Sequence, residues 1–316
     1  MSSRAEAALC DLVASQPPGE RLPSERALAA RLGLGRQPLR ALLARLQAEG
    51  RVVRRHGSGT YIADPAGGLT AVAIVVDAGI RLGDDPFFMA AVEAVQQAVQ
   101  AAGCACPLLR WNDGMQAPSE AIIGLGSAVG RLLAMRRRGE PPAVGFMVEG
   151  DPQTDARVSQ VALDDEAAGR AAVAHLADRG CRSIAWVGHE GRPSPRARCA
   201  GVRAACAGRG LPLRTVESGM NYEDGICAAT ALPSTPKLGI IAANDWLAAG
   251  LHAGLGGRPP PLVGFDGLAL TQRLGIASFR VPLACIAADL VAELRRLAAD
   301  PAPAGRTLTY RLDLRQ

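Results

Sequence analysis

Residues 19–63 read GERLPSERALAARLGLGRQPLRALLARLQAEGRVVRRHGSGTYIA, and this stretch decides how the amino-terminal part of the chain folds. Ser24 follows a proline and is a typical N-cap, so we predict a helix over residues 25–32. Leucines recur at helical spacing over residues 37–49 and predict a second helix after a short turn. Strand-like segments flank the Gly-Ser-Gly sequence at 57–59, and this pattern is typical of a β-hairpin.

The sequence before this stretch completes the unit. Residues 5–14 are compatible with a helix, because their alanine, leucine and valine side chains fall on one face. Three short helices followed by a hairpin predict a winged helix-turn-helix. Two other interpretations of the hairpin stay open: its arginines serve only solubility, or its glycines cradle a phosphate. The second lacks the Gly-Lys-Ser/Thr sequence and the following helix that a phosphate-binding loop needs.

Net charge is concentrated in this unit. Residues 1–62 carry ten arginines against five acidic residues, whereas the rest of the chain carries 25 basic and 25 acidic residues. A local excess of positive charge is typical of a segment that binds a polyanion. The charge pattern therefore predicts a polyanionic partner for the amino-terminal unit alone.

The stretch 19–63 resembles the DNA-binding domain of GntR-family regulators along its whole length. The matching motifs are Leu-Pro-Ser-Glu-Arg at 22–26, Arg-x-Pro-x-Arg at 36–40, Leu-x-x-x-Gly at 46–50 and Gly-x-Gly-Thr at 57–60. The family usually has serine or threonine where this chain has Gly35. One hydroxyl that would bind a phosphate is thus absent, and we expect weaker operator binding than is usual for the family.

The resemblance assigns roles to individual residues. It implies that the following side chains face the operator: Arg26, Arg36, Gln37 and Arg40. Arg36 and Arg40 are the candidates for guanine edges, because arginine pairs bidentately with guanine. The wing tip, His56 and Gly57, is implied to enter the adjacent minor groove. The residues implied to hold phosphates, which position the protein without reading sequence, are Ser24, Arg54, Arg55 and Thr60.

Length and composition limit the class of protein. A chain of 316 residues usually holds two domains, and no 18-residue apolar run or leader of signal-peptide type is present. We therefore expect a soluble, cytoplasmic protein with a winged helix at 1–63, a linker at 64–70 and a second domain at 71–316. The eight cysteines include Cys104 and Cys106 but no CxxC pair, so we expect mostly buried thiols, no metal site and no cofactor.

Strand-like and helix-like segments alternate after residue 70, which is typical of parallel βαβ architecture. Two loosely similar stretches, at 92–103 and 199–210, indicate either equivalent units in two lobes or coincidence in an alanine-rich chain. The strand, GxGxxxG and helix at 121–130 resemble a dinucleotide fingerprint, with Glu149 as the ribose ligand. We do not favour that function, because the third glycine lies one position late and the unit does not open the domain.

Residues 71–316 resemble the effector domain of LacI/GalR-family regulators, which is similar to type-I periplasmic sugar-binding proteins. Five motifs occur in the correct order, at 86–88, 161–188, 194–205, 242–245 and 262–267, and residues 280–283 resemble the crossing back between lobes. The resemblance implies a two-lobed α/β domain with parallel sheets, in which lobe 1 spans about 71–158 and 281–304 and lobe 2 about 159–280 and 305–316. A GntR reader joined to such a domain is similar in arrangement to the arabinose regulators of Gram-positive bacteria.

The resemblance also implies a ligand cleft between the lobes. Arg198, Asn244 and Asp266 are implied to hydrogen-bond ligand hydroxyls, and Phe88 to form an apolar wall. Met220 stands where the family commonly has a stacking aromatic ring, although Tyr222 is close. Two structural alternatives stay open: Arg198 and Asp266 form a salt bridge that closes the lobes, and Asn244 only ends a strand.

Departures from the family bear on the ligand. The segments 111–120 and 248–261 are shorter than in the family, and the chain has only eleven aromatic residues. A sugar pocket usually offers a flat ring. A non-sugar ligand or a degraded pocket are therefore alternatives to the carbohydrate-like effector that the resemblance implies.

These features predict a sequence-specific transcriptional regulator, a repressor that binds a pseudo-palindromic double-stranded operator as a homodimer and responds to a small effector. The main alternative is a constitutive DNA-binding regulator whose second domain only dimerises. We do not expect an enzyme, because a fused pyridoxal-phosphate domain would need Lys237, the only lysine, as its Schiff base. A transport-type binding protein is opposed by the DNA-binding head and the missing leader.

Overall fold

The structure is a computed structural model that describes residues 2–17, 20–48, 51–55, 59–62, 69–112, 121–127, 129–134, 141–148, 158–257, 259–299 and 304–315. Its amino-terminal elements follow the predicted order of three helices and a hairpin. Their bounds are Ser2–Ser15 (α1), Glu25–Leu32 (α2), Arg36–Ala48 (α3), Val52–Arg55 (β1) and Gly59–Ile62 (β2). The predicted winged helix-turn-helix fold is therefore confirmed.

Capping residues set the length of α2. The Ser24 side chain accepts a hydrogen bond from the Ala27 backbone N–H at 3.3 Å, and Gly33 ends the helix in the left-handed region, with φ 62°. Apolar side chains from the predicted helical faces form the core of this domain, which includes Leu9, Leu28, Leu39, Leu43 and Leu46. This core packs α2 against α3 and leaves their polar faces in solvent.

The hairpin belongs to a three-stranded arrangement. β1 and β2 pair antiparallel, with Arg54 opposite Thr60. On the other side of β2, Arg21 forms a bridge with Tyr61, and the Leu22 N–H donates to the Thr60 carbonyl at 2.8 Å. The sequence does not predict this third edge, because a single bridge is too short to leave a periodic pattern.

The first sheet of the second domain is six-stranded and parallel. Its strands are Val72–Asp77 (β3), Leu108–Trp111 (β4), Ala121–Leu125 (β5), Ala143–Phe146 (β6), Val158–Leu163 (β7) and Thr307–Tyr310 (β13). They lie in the order β13-β7-β6-β5-β3-β4. The helices packed on this sheet are Pro86–Ala101 (α4), which follows a 3₁₀ turn at Leu82–Asp84, Val129–Ala134 (α5) and Leu283–Ala299 (α11).

The second sheet also has six strands. They are Ser183–Val187 (β8), Leu213–Val216 (β9), Leu238–Ala242 (β10), Leu262–Asp266 (β11), Ala277–Arg280 (β12) and Asp313–Arg315 (β14). The order is β14-β12-β11-β10-β8-β9, and only β14 is antiparallel to its neighbour. The helices of this lobe are Asp165–Asp178 (α6), Pro193–Arg209 (α7), Tyr222–Ala229 (α8), Asp245–Leu255 (α9) and Ala269–Arg273 (α10).

The two similar stretches of sequence occupy equivalent places in the two sheets. The stretch 92–103 covers most of α4, which leads to the edge strand β4, and 199–210 covers most of α7, which leads to the edge strand β9. In each sheet that edge strand lies beside the first strand of the lobe. Of the two alternatives for these stretches, the topology supports equivalent units over coincidence, and the predicted two-lobed α/β fold is confirmed.

The predicted lobe boundaries need correction. β7 pairs with β6, and β13 pairs with β7, so both strands belong to lobe 1, although residues 159–163 and 307–310 were assigned to lobe 2. The chain crosses between the lobes after β7, after β12 and after β13. The cause of the error is that an edge strand joins its sheet through partners distant in sequence, which leave no local signal.

The cysteines are free thiols of mixed exposure. Four are buried, Cys10 and Cys106 are half-buried, and Cys227 and Cys285 are exposed. Among the residues that the structure describes, no group of His, Cys, Asp and Glu has the arrangement of a metal site. Within the same residues, no helix combines the length and apolarity needed to span a bilayer.

One buried carboxylate fastens the carboxyl-terminal segment to lobe 1. Glu293 on α11 is 1% exposed, and it accepts hydrogen bonds from the Ser159 hydroxyl at 2.7 Å, Arg296 Nη2 at 2.6 Å and Arg306 Nε at 3.0 Å. Burial alone would raise the pKa of Glu293, but the hydrogen bonds from Arg296, Ser159 and Arg306 outweigh it and lower the pKa to about 2. The contact joins α11 to the beginning of β7 and to the residue before β13.

We expect Glu293→Gln to lower the free energy of unfolding by about 2 kcal/mol, because it removes charge-assisted hydrogen bonds from a buried acceptor. The loss should be present above pH 4.5 and should vanish as pH falls toward 2, since the folded-state pKa is depressed from 4.5. Urea denaturation across this pH range measures it. Glu166→Gln is the matched control: its pair with Arg170 is exposed, and its loss should cost under about 0.5 kcal/mol. Equal losses in both variants would contradict the assignment.

Candidate functional site

The predicted base-facing residues lie exposed on α2 and α3. Arg26 is in the first turn of α2, and Arg36, Gln37 and Arg40 are at the beginning of α3. Arg40 Nε donates to Glu25 Oε2 at 2.9 Å, so the first turns of the two helices adjoin. The ion pair leaves the Arg40 side chain 60% exposed, which keeps it accessible to a partner.

The hairpin carries five more of the predicted DNA contacts: Arg54, Arg55, His56, Gly57 and Thr60. The backbones of Arg54 and Arg55 lie in β1, where Arg55 is opposite Gly59 at the end of the described hairpin. The side chains of these two arginines lie outside the described part of the chain, as do His56 and Gly57. Their roles at the operator stay predictions.

The two predicted hydroxyl contacts have structural partners of their own. The Ser24 oxygen caps α2, which leaves the hydroxyl proton free to donate to a phosphate. Thr60 is 8% exposed, and its backbone carbonyl accepts from the Leu22 N–H. Ser24 therefore presents more of its side chain to a partner than Thr60 does.

A second candidate site is the cavity between the lobes, which has about 560 Å³ of empty space and is partly open to solvent. It lies at the carboxyl ends of β3, β5, β10 and β11, where open α/β sheets bind their ligands. The structure brings all the predicted effector residues to this cavity: Phe88, Arg198, Met220, Asn244 and Asp266.

Arg198 is the central polar group of the cavity wall. It is 2% exposed; its Nε donates to Asp165 Oδ1 at 2.7 Å, and its Nη1 donates to the Ala243 carbonyl at 2.8 Å. The guanidinium carbon lies 4.6 Å from the centre of the Phe265 ring. The Nη2 atom is buried and has no hydrogen-bond partner among the described residues. An unpaired buried donor costs about 1–3 kcal/mol, and a ligand oxygen in the cavity would remove that cost.

Two glycines allow Arg198 to reach Asp165. A methyl group at Gly169 would lie 2.1 Å from the Arg198 carbonyl oxygen, and one at Gly201 would lie 2.0 Å from the Glu166 carbonyl oxygen. Because neither residue has a side chain, α6 and α7 pack in close contact. The Ala-Gly and Arg-x-x-Gly motifs of the sequence therefore position the ion pair that faces the cavity.

Two further carboxyl groups surround this guanidinium. Asp266 ends β11 with φ 119°, and its Oδ1 lies 3.8 Å from Arg198 Nη1. Asp245 opens α9 and is fully buried; its Oδ1 accepts from the Ser278 hydroxyl at 2.7 Å, and its Oδ2 accepts from the Leu268 N–H at 2.7 Å. The Asp245 backbone N–H points to Asp266 Oδ2 at 3.5 Å.

The charges of this cluster do not balance if every carboxyl is ionised. Burial raises the pKa of Asp266 well above its usual value; Arg198 opposes this effect and Asp245 adds to it. Burial also raises the pKa of Asp245, to about 6, although hydrogen bonds from Ser278, Leu268 and Thr271 oppose it. Three buried carboxyls share one guanidinium, so the neutral form of Asp266 is favoured. A neutral carboxyl can donate to a ligand as well as accept from it.

Arg198 and Asp266 belong to the same lobe, since they lie in α7 and at the end of β11. The alternative that they form a salt bridge closing the two lobes is therefore wrong. A ligand that contacts both residues still needs a partner on lobe 1 before it can draw the lobes together. Phe88, which is 5% exposed and packs in the lobe 1 core, offers an apolar partner there.

The Asn244 side chain already forms two hydrogen bonds within the protein at this site. Its Oδ1 caps α9 by accepting from the Leu247 N–H at 2.8 Å, and its Nδ2 donates to the Met220 carbonyl at 3.0 Å. One N–H and one oxygen lone pair stay available for a ligand. Tyr222 does not replace the missing stacking ring: its ring lies 5.2 Å from that of Trp246, and it is not among the cavity-lining residues.

Three charged residues of the cavity wall were missed in the sequence: Asp77, Asp85 and Arg192. Asp85 caps α4 by accepting from the Phe88 N–H at 3.1 Å, and Arg192 immediately precedes α7 on the opposite lobe. Burial raises the pKa of Asp85, while the Phe88 N–H and the nearby positive charge of Arg192 oppose the rise. The Asp-Pro sequence at 85–86 is a recognisable N-cap signal, whereas Arg192 has no motif of its own.

Close packing explains the glycines in the stretch that resembles a dinucleotide fingerprint. A methyl group at Gly124 would lie 2.4 Å from a side chain of α5, and one at Gly126, with φ 100°, would lie 2.8 Å from the Ile80 side chain. Glu149 lies outside the described residues. Lys237 precedes β10, at the opposite end of that strand from Asn244 and the cavity.

The structure thus joins a winged helix with an exposed arginine face to a two-lobed α/β domain with a cavity between its lobes. Residues 2–62 match the family of bacterial regulatory proteins named gntR, and residues 173–316 match the periplasmic binding protein-like domain. The chain thus combines a GntR-type winged helix with a periplasmic-binding-protein-like domain.

The chain is similar to known proteins in two ways: its amino-terminal part matches a regulator in sequence, and most of its length matches solved structures in fold. An uncharacterised HTH-type transcriptional regulator of Mycobacterium tuberculosis, Rv0494, is 52% identical over 69 residues, which are 22% of this chain and 28% of that relative. A LacI-family regulator from Enterococcus faecium with bound ribose is 19% identical with a TM-score of 0.67, over 78% of this chain and 97% of that chain. The CelR–cellobiose complex is 20% identical with a TM-score of 0.63, over 93% and 99% of the two chains. The structural likenesses show the fold.

We expect Asp266→Asn to become increasingly stable relative to wild type as pH rises above 3.8, because burial raises the pKa of Asp266 in the folded state. The raised folded-state pKa means that the protonated carboxyl contributes stability that is lost as pH rises through the folded-state value. Asparagine cannot ionise and lacks this loss. Thermal unfolding over a pH series measures the difference.

Asp313→Asn controls for the general loss of a carboxyl, because the Asp313 side chain is 81% exposed. Its pH profile should follow that of the wild type. If Asp266→Asn instead became less stable than wild type with rising pH, Asp266 would be an ionised partner of Arg198.

Proposed function

We propose that this chain is a transcriptional regulator that binds double-stranded operator DNA through its winged helix and a small effector through the cleft between its lobes. The observation that carries the proposal is the unpaired, buried Nη2 of Arg198 in the cavity between the lobes, in a protein whose other domain presents exposed arginines on α2 and α3. An unsatisfied buried donor lowers stability, so its presence in a cleft points to a ligand.

On DNA, Arg36 and Arg40 read guanine edges in the major groove, beside Arg26 and Gln37. The Glu25 contact supports this role for Arg40, because it restrains a long side chain before DNA binds. The wing tip lies in the minor groove, and the remaining predicted residues hold phosphates: Ser24, Arg54, Arg55 and Thr60.

The effector is a sugar or a sugar-like molecule. Ribose and cellobiose occupy solved proteins of similar fold, and the polar groups of this cleft suit hydroxyls. Arg198 donates, Asn244 donates and accepts, and a neutral Asp266 does both. Met220 gives a polarisable wall that is not flat, which favours ligands that do not depend on ring stacking.

The lobes must adopt one arrangement that favours operator binding and another that does not. Effector binding changes operator affinity only if these two arrangements have different affinities for the effector. Arg198 and Asp266 hold it from lobe 2, and Phe88 covers it from lobe 1, so closure depends on the ligand touching both. The linker at 64–70 enters lobe 1 at β3, and lobe movement within a homodimer then alters the spacing of two winged helices on a pseudo-palindromic operator. The protein acts as a repressor, in an arrangement similar to that of the arabinose regulators.

One observation favours the alternative, a constitutive regulator whose second domain only dimerises. Nine residues, 112–120, connect β4 to β5, which lie on either side of β3 in one parallel sheet. Such a connection usually carries a helix and needs about a dozen residues. A domain trimmed in this way keeps its fold while losing surface that ligand-responsive movement would use.

We expect Arg36→Ala to weaken binding to a duplex selected from random DNA by about 1–3 kcal/mol and to relax base preference, because it removes a bidentate base contact. Arg54→Ala should weaken all sequences alike and lower the salt slope by about one, because it removes a phosphate contact. Fluorescence titration against selected and unselected duplexes at several salt concentrations separates the two effects. Equal loss of base preference in both variants would refute the assignment.

We expect Asp266→Ala to leave operator binding by the free protein nearly intact and to abolish its response to effector. A thermal-shift screen of sugars, sugar acids and nucleosides supplies the compound, and operator titration with and without it gives the response. In wild type, the change should be about 5–150-fold. Asp313→Ala, at an exposed carboxyl of the same lobe, should respond as wild type does.

A full response in Asp266→Ala would remove this residue from the effector site. A wild type that binds DNA but responds to no compound that it binds would favour the dimerisation alternative.

A further inference from the structure

Arg21 lies in the segment that forms the third edge of the wing, and no sequence motif assigns it a function. Arg21 pairs across β2 with Tyr61, and its side chain runs along that strand toward the tip of the hairpin. A methyl group at Gly59, the first residue of β2, would lie 3.0 Å from Arg21 Nε and 3.3 Å from Nη2. The guanidinium therefore rests on the backbone of Gly59, two residues from its pairing partner.

The contact explains why glycine occupies position 59. Gly59 has φ 126°, a conformation that side chains rarely adopt, and any side chain would also meet the Arg21 guanidinium. The glycine thus allows both the turn and the position of Arg21. Held against the strand, the guanidinium loses less conformational entropy on binding a partner than a freely rotating side chain would.

Arg21 is also free of competing partners. It is exposed, and it forms no ion pair with any residue in the described ranges. Arg51 of the same domain is engaged, by contrast: its Nη2 donates to the Cys10 carbonyl at 3.1 Å. An exposed guanidinium that rests on the hairpin without an ion-pair partner in the described part of the chain is available to an anion from outside the domain.

We infer that Arg21 binds a backbone phosphate of the DNA beside the groove that the wing enters. A phosphate suits the geometry better than a base edge, because the Arg21 backbone pairs along the outer side of β2 and its guanidinium rests on the backbone of Gly59 instead of projecting from the hairpin tip. A guanidinium also presents paired donors that match two phosphate oxygens. This role rests on the proposed DNA binding, and it would fix the depth and angle of the wing without reading sequence.

The test uses the full chain and two duplexes, one of mixed sequence and one selected from random DNA by the wild type. We expect Arg21→Ala to weaken both by a similar factor, roughly three- to tenfold, and to lower the slope of log affinity against log salt by about one. Arg21→Lys should keep the slope, because lysine keeps the charge. Arg214→Ala removes an exposed arginine of lobe 2 and should change neither quantity.

The outcomes separate this inference from the proposed function. If the wild type binds neither duplex, the proposed function fails. If the wild type binds and Arg21→Ala keeps the full salt slope while its unfolding midpoint is unchanged, the inference is overturned. A loss confined to the selected duplex would make Arg21 a base contact and would overturn the phosphate assignment. A lowered unfolding midpoint with an unchanged salt slope would make Arg21 a residue of the wing's own structure.

Discussion

The contact between Arg198 and Asp165 is the interaction on which the cleft depends. A buried guanidinium is tolerated only where carboxylate and carbonyl partners replace its water, and Arg198 finds them at the beginning of α6 and at the end of β10. Gly169 and Gly201 bring the two helices close enough for that contact. The ion pair between Arg198 and Asp165 and the two glycines, which have no side chains, together hold α7 against α6 and so position the cavity wall.

The same charge organises the acidic residues around it. Asp245 satisfies its oxygens within lobe 2 through Ser278, Leu268 and Thr271, so it acts as structure, and Asp266 is left to face the cavity. Since Arg198 and Asp266 share a lobe, their lobe alone binds without closing. Lobe 1 contributes the carboxyl of Asp85, which caps α4, and the ring of Phe88. Whether a bound ligand contacts these groups decides whether its binding closes the lobes.

Sequence patterns predicted those parts of the fold that have local causes. The bounds of α2 follow from a serine cap and a terminal glycine, and those of β8 and β10 from short apolar runs. Patterns did not predict what depends on distant partners: the sheet that β7 joins, the third edge of the wing, and the hydrogen bond between Asp245 and Ser278, 33 residues apart. The effector residues were found because they match positions of the LacI/GalR-type motifs, whereas Arg192 lies in no motif and became visible only with the cavity.

The threefold crossing of the chain bears on the order in which the protein forms during synthesis. The winged helix and most of lobe 2 are continuous in sequence, so each has its core once its own residues have left the ribosome. Lobe 1 does not: α11, whose Ile286, Leu290 and Leu294 are buried against the first sheet, arrives only near the end of the chain. The half that carries the linker therefore completes its core last, and until then the apolar surface that α11 covers stays exposed.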